Sequence, residues 1–234
     1  MTFLFCGDPH GQFEQIVRAA KRLPEAPIII LGDMELQQPL DEVLPGLMER
    51  TWYILGNHDT DTPQAAEHAW NPRYAQRLVH ASVHTLPGDV RLAGLGGVFR
   101  GAVWYPKHAQ APVYDNPQAH AARTPRQDRW RNGPHLRHWS TLYPSHFEQL
   151  RAQRCDVLVL HEAPGYHPHG FAALDTLARD MRARLVVHGH QHDSLDSRAH
   201  WAEQGFMTVG VPMRGVTAVD LAGHIEVMEP GVGA

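Results

Sequence analysis

Five short apolar runs of this chain are each followed, directly or after one glycine, by an acid, an amide or a histidine. Thr2–Cys6 leads into Gly7-Asp8-Pro9-His10, Pro27–Leu31 into Gly32-Asp33, and Trp52–Leu55 into Gly56-Asn57-His58-Asp59. Asp156–Leu160 leads into His161-Glu162, and Leu185–Val187 into His188-Gly189-His190-Gln191-His192. The runs are short and largely lack polar alternation, the pattern of strands buried on both faces. Helical spacing lies between the first of them. Phe13, Ile16, Val17 and Ala20 share one face of Gly11–Arg22, and Leu40–Arg50 reads as a second helix. Strand–helix–strand order of this kind implies right-handed βαβ units around a parallel sheet. Ligands of such sheets bind at the carboxyl ends of the strands, so five strand ends deliver polar side chains to one edge.

The remaining chain extends the α/β theme. Val90–Leu95 reads as a strand and Phe171–Arg182 as a helix. Phe206–Val209, Val216–Leu221 and His224–Met228 read as closing strands, the last two joined by a tight turn at Ala222-Gly223. Between residues 99 and 147 the periodicity fails, and a long irregular segment of this kind inside a domain is expected to be a functional loop or lid. The 234 residues suffice for one good-sized core, so a single domain over 1–234 is expected. Cys6 and Cys155 are too few for a disulfide framework. With no basic leader and no apolar run of membrane-spanning length, the expected compartment is the cytoplasm, with no membrane contact. A net charge of −4 provides no global positive field for nucleic acid.

Histidine is the abnormal count, 18 against 21 lysines and arginines together. Asp, Asn and His are the side chains that bind hard or borderline divalent cations, and glycine before a ligand permits the tight turns that convergence needs. A single Asp after a strand is equally a helix cap; five strand ends in series are poorly explained that way. Asp8, His10, Asp33, Asn57, His161, His190 and His192 make seven donors, more than one ion requires. Two ions sharing one carboxylate account for them, and ions about 3.5–4 Å apart can clamp the attacking and leaving oxygens of a phosphoryl transfer.

These blocks resemble the signature of the calcineurin-like metallophosphoesterase superfamily: D-x-H, G-D-x-x-D, G-N-H-[DE], a lone His, and G-H-x-H. Here they are Asp8-Pro9-His10, Gly32-Asp33, Gly56-Asn57-His58-Asp59, His161, and Gly189-His190-Gln191-His192. The resemblance implies a layered β-sandwich of two mixed sheets flanked by helices, with residues 99–147 as an irregular insert. It implies a phosphoester hydrolase with two divalent ions, Mn, Fe or Zn, hydrolysing a mono- or diester by in-line attack of a bridging hydroxide. Asp8, His10 and His192 would hold one ion; Asn57, His161 and His190 the other; Asp33 would bridge. His58 would face the substrate, steadying the phosphoryl oxygens or protonating the leaving oxygen, and Asp59 would orient it. His188 lies outside the signature and reads as a structural or supporting histidine.

The chain departs from the signature at residue 36, where the second Asp of G-D-x-x-D is replaced by Leu36, with Glu35 one position short. GDPHGQ is shared with Ser/Thr protein phosphatases, which keeps that activity as an alternative; Gln37, where those enzymes carry Arg, and Asp59, where they carry Glu, count against it. A non-catalytic scaffold of the same fold is a second alternative, and it predicts missing ligands. The expected substrate is a small or nucleotide-like phosphate ester. Arg100 is a candidate phosphate-binding residue. Arg123, Arg126, Arg129, Arg131 and Arg137, interleaved with Trp130 and Trp139, form either a lid that grips a phosphate or base, or a solvated loop anchored by its tryptophans. The lid reading leaves a nuclease open.

Overall fold

Phe3 and Phe5 of the first strand pack on one side while Leu4 and Cys6 pack on the other, and all four are buried. That double burial requires layers on both sides of the strand. The computed structural model describes residues 1–108 and 110–232. Along the chain run β1 (Thr2–Cys6), α1 (Glu14–Arg22), β2 (Ile28–Ile30), α2 (Leu40–Val43), β3 (Thr51–Tyr53), α3 (Pro63–Ala69), β4 (Ser82–Leu86) and β5 (Val90–Leu95). There follow α4 (Pro117–Arg123), α5 (Pro144–Arg151), β6 (Val157–Leu160), α6 (Ala172–Asp180), β7 (Leu185–His188), α7 (Trp201–Gln204), β8 (Met207–Gly210), β9 (Val216–Asp220) and β10 (Ile225–Glu229).

The strands form two five-stranded mixed sheets, in the orders β10-β9-β1-β2-β3 and β4-β5-β6-β7-β8. β1, β2 and β3 run parallel, as do β5 to β8; β9, β10 and β4 pair antiparallel at the ends. Phe3, Phe5, Ile29, Leu31 and Ile54 meet Leu92, Val157, Val159, Leu185 and Val187 between the sheets. Outside the first sheet, Ile16, Ala19 and Ala20 of α1 cover Leu4, Cys6, Ile28 and Ile30. Outside the second, Phe147 and Leu150 of α5 and Leu174, Leu177 and Ala178 of α6 cover Ala93, Leu158, Leu160 and Val186. The architecture is therefore α/β, a two-sheet sandwich with helices on both outer faces. No helix among the described residues is long and apolar enough to cross a membrane.

The expected helix over 40–50 stops at Val43. Pro45 lacks the N–H that would continue it, and Gly46 takes a φ of +74°. Residues 99–147 are mostly irregular, but they contain α4 and the start of α5, neither of which the periodicity indicated. Asn116 caps α4 by accepting from the Ala119 N–H at 2.7 Å, and Pro stands at the first position of both helices. β4 lacks an apolar run because it is an edge strand: it carries the polar sequence SVHTL and, among the described residues, pairs with β5 alone.

Leu36 is 1% exposed and packs in the core between α1 and the first sheet. Aspartate at that position would bury an unpaired carboxylate in an apolar cluster. Leu36→Asp is expected to destabilise the fold by about 3 kcal/mol or more, read as a lower urea midpoint; an unchanged midpoint would mean the side chain can turn out toward the site.

Candidate metal centre

Asp8, Asp33, Asn57, His161 and His190 stand just beyond β1, β2, β3, β6 and β7, the parallel strands whose carboxyl ends meet at one edge of the sandwich. The connecting backbone is forced into an uncommon shape there. Asp8, His10, Asp33, Glu35, His190 and His192 all have positive φ, between +33° and +65°. For non-glycine residues each such conformation costs about 1–2 kcal/mol, and it persists only where the surroundings over-determine it. Glycines make the remaining close approaches. Gly32 has a φ of +101°, and a Cβ there would fall 2.7 Å from the His161 Nδ1. A Cβ on Gly189 would fall 2.5 Å from Asp8 Oδ1.

The structure brings all seven predicted ligand residues together. His10, Asp33 and His192 form one group of donor atoms, and Asp33, His161 and His190 another, each within 4.8 Å. Asp33 belongs to both. The Nε2 atoms of His10 and His192 face each other at 3.4 Å. Asp8 Oδ2 lies 3.6 Å from His192 Nε2 and accepts the His190 N–H at 2.7 Å. His161 Nε2 lies 3.4 Å from Asp33 Oδ2 and 3.3 Å from Asn57 Oδ1. Asp8 Oδ1 and Asp33 Oδ2 are buried and have no hydrogen-bond partner among the described residues. Two orphaned carboxylate oxygens among converging imidazole nitrogens and an amide oxygen are a donor set that fits borderline divalent cations.

The charges are interdependent. Burial raises the Asp8 carboxyl to about 6, against the pull of His161. Burial also works to raise Asp33, but the His161 ring and the His58 backbone N–H, at 2.8 Å, hold it well below the usual carboxylate range. Burial would lower His161; Asp33 and Asp8 overcome that and push it up to about 10. His190 is driven down to about 3 by burial and by the same His161 charge. The two buried carboxylates thus demand a positive partner. In the protein alone one imidazolium provides it; a bound cation would require that proton to leave.

The residues around the ligands differ from expectation. Asp59 does not reach His58. Its oxygens accept from the backbone N–H groups of Gly56 and Met34, both at 2.8 Å, and of Glu35 at 3.1 Å, so it ties the β2 loop to the β3 loop. His58 Nδ1 instead meets Asp61 Oδ2 at 2.6 Å. Residues 58–60 form a single 3-10 turn, in which side chains i and i+3 share a side while neighbours diverge. Glu35, beside the buried Leu36, places Oε1 2.7 Å from His10 Nδ1 and 4.0 Å from His58 Nδ1. The i,i+3 spacing of Asp61 is the one signal by which sequence could have found it. Glu162 accepts from the Phe99 N–H at 3.0 Å and approaches His190 at 3.9 Å.

Arg100 lines a cleft of about 440 Å³ together with Asn57, His190, Glu162, Tyr105 and Phe171. Its Nε donates to Thr141 Oγ1 at 3.1 Å. Among the described residues, none of Arg123, Arg126, Arg129, Arg131 and Arg137 lines that cleft. Arg131 bonds Glu67 at 2.7 Å and lies over Trp130, while Arg129 donates to the Thr124 carbonyl. Trp70, Trp130 and Trp139 pack edge to face with centroids 4.8–5.6 Å apart. The tryptophans therefore anchor the insert to the body.

His188 is turned away from the donor cluster. Its Nε2 meets the Tyr166 hydroxyl at 2.8 Å, and burial pushes it down to about 4. Between that value and the ordinary pKa of about 6.5, the unfolded chain binds a proton that the folded chain does not. Stability should therefore fall as pH drops from about 6.5 to about 4, by up to about 3 kcal/mol from this residue. Urea unfolding of metal-stripped protein at pH 7 and pH 5 should show a smaller loss for His188→Gln than for the native sequence; equal losses would assign the acid sensitivity elsewhere.

Comparison with known proteins bears on the family and the fold. The chain is 38% identical over 200 residues to a Haemophilus influenzae protein described as uncharacterized, covering 85% of this chain and 86% of that one. The crystal structure of TT1561 of Thermus thermophilus superposes with a TM-score of 0.60 at 15% identity, covering 98% of both chains, which is a likeness of fold. A family model described as calcineurin-like phosphoesterase matches residues 1–194, a span that takes in every donor from Asp8 to His192, and the chain belongs to that family.

Proposed function

We propose that this chain is a dinuclear metal-dependent phosphoesterase acting on a small phosphate mono- or diester. The observation that carries the reading is Asp33, one buried carboxylate common to two donor groups. Asp8, His10 and His192 would hold one ion, Asn57, His161 and His190 the other, and Asp33 both. Manganese, iron and zinc all suit the mixed oxygen and imidazole set. The ions would supply neutralisation of phosphoryl charge and a water of lowered pKa. Glu35 fixes the His10 ring through Nδ1, leaving Nε2 directed at the centre. The family's implied hydrolase activity, the small cleft beside Asn57 and His190, and a sandwich built on one inter-sheet core support a single-domain enzyme with a small substrate.

In this reading the Arg100 guanidinium faces the cleft and binds a non-bridging phosphoryl oxygen, braced by Thr141. His58 gives a proton from Nε2 to the leaving oxygen. Asp61 takes the hydrogen bond of Nδ1 and so keeps the proton-carrying edge toward the substrate. Phe99 and Phe171, 4.4 Å apart, form an apolar wall of the cleft and limit the entry of water.

Metal-stripped protein should not hydrolyse p-nitrophenyl phosphate or bis-p-nitrophenyl phosphate and should regain turnover with Mn, the ratio of rates separating monoesterase from diesterase. Asp33→Asn should lose both metals together by elemental analysis. Turnover without metal, or one site emptied alone, would overturn the dinuclear reading. Asp61→Asn should keep its metal content and lower kcat on an alkyl phosphate by about 10- to 100-fold. It should affect p-nitrophenyl phosphate little, because that leaving group needs no proton; equal losses on both esters would remove Asp61 and His58 from proton transfer.

A further inference from the structure

A second cavity, of about 540 Å³, shares no lining residue with the cleft beside Asn57 and His190. The Arg100–Thr141 hydrogen bond stands between them: Arg100 lines the first and Thr141 the second. Trp70, at the end of α3, and Trp139 and Tyr143, from the later insert, supply aromatic rings to its lining. The volume lies within the range of small-molecule sites, about 300–1,000 Å³.

The polar groups of the wall narrow the occupant. Gln118 and Asn132 bring side-chain amides, and His80, His138 and His146 bring imidazoles. Burial lowers His80 and His138 to about 4 and His146 further still, so these rings are neutral near pH 7. The Nδ1 atoms of His80 and His146 have no hydrogen-bond partner among the described residues. No aspartate or glutamate lines the cavity among the described residues, and its one cation, Arg131, is bonded to Glu67 at 2.7 Å. A charge buried here would find no free counter-charge. Aromatic faces favour a flat ring through offset or edge-to-face contact, and amides with neutral imidazoles favour a ring edge bearing both donors and acceptors.

We propose that this cavity binds an uncharged, planar heteroaromatic ring of the nucleobase class, at a site separate from the metal-side cleft. The site borders Arg100, the side chain to which the proposed function assigns the phosphoryl oxygen. His138 Nδ1 and Arg100 Nε both bond Thr141 Oγ1, at 3.2 Å and 3.1 Å, so an occupant touching His138 presses on the residue that braces Arg100.

The test is titration of the full, metal-loaded chain with adenosine, guanosine, cytidine and uridine. Tryptophan fluorescence and calorimetry are the readouts, and neither depends on turnover. At least one nucleoside should quench saturably at one per chain, and inorganic phosphate should not displace it. Ala121→Phe, which fills the cavity, should weaken Kd by at least about tenfold with metal content and far-ultraviolet dichroism unchanged. Gln118→Ala, at an exposed helical position, should weaken it severalfold and carries the test if the larger variant misfolds. No saturable binding of any of the four at low millimolar concentration would overturn the proposal. So would displacement by phosphate, which would put the nucleoside in the metal-side cleft, or an unchanged Kd in both variants.

Discussion

Asp8 and Asp33 are 0% and 1% exposed, and each keeps one carboxylate oxygen without a hydrogen-bond partner among the described residues. Taking a carboxylate out of water costs several kcal/mol even after the protein relaxes, so the rest of the edge is arranged around offsetting that cost. Backbone N–H groups of His58 and His190 come to the other oxygens. The His161 ring lies 3.4 Å and 3.7 Å from the two acids. What remains unsatisfied is directed at the space between the imidazoles, where only a cation improves the balance.

The two-sheet sandwich makes that arrangement possible. β1 to β3 of one sheet and β6 and β7 of the other end at the same edge, so donors separated by up to 182 residues come within hydrogen-bond range. The inter-sheet core sets the spacing between the two contributing sets of loops. Asp59 sets the spacing within the first. Its three backbone hydrogen bonds join the loops after β2 and β3, and burial raises it to about 7, a sign that it is held for its geometry against an electrostatic cost.

The strands were legible in the sequence because double burial leaves continuous apolar runs, and β1 and β5 match their expected bounds to the residue. The donors were legible because each stands just after such a run. Less visible were elements whose stability comes from packing and caps. α3, α4 and α5 are seven or eight residues long and begin with proline, too short to display a period of 3.6 clearly. The roles of Glu35 and Asp61 were hidden for a different reason. Both depend on local backbone shape, a left-handed residue at Glu35 and a 3-10 turn at 58–60, which redirect side chains by a full position relative to the signature. Asp59 matched the signature as a letter while its side chain pointed to the backbone.

At residues 35 and 36 the chain departs from the family signature, and local backbone shape sorts the two side chains to opposite environments. With Glu35 at a φ of +49°, its carboxylate turns toward His10 while the next side chain turns into the core. Glutamate is one methylene longer than aspartate, and that reach lets a carboxylate from the neighbouring position arrive at the His10 Nδ1. The same shift places it 4.0 Å from His58, so one acid lies beside both His10 and His58. Holding Glu35 there costs about 1–2 kcal/mol in backbone conformation. Its N–H bond to Asp59 and the full burial of Leu36 offset that cost, which ties the acid that supports the centre to the hydrophobic core beneath it.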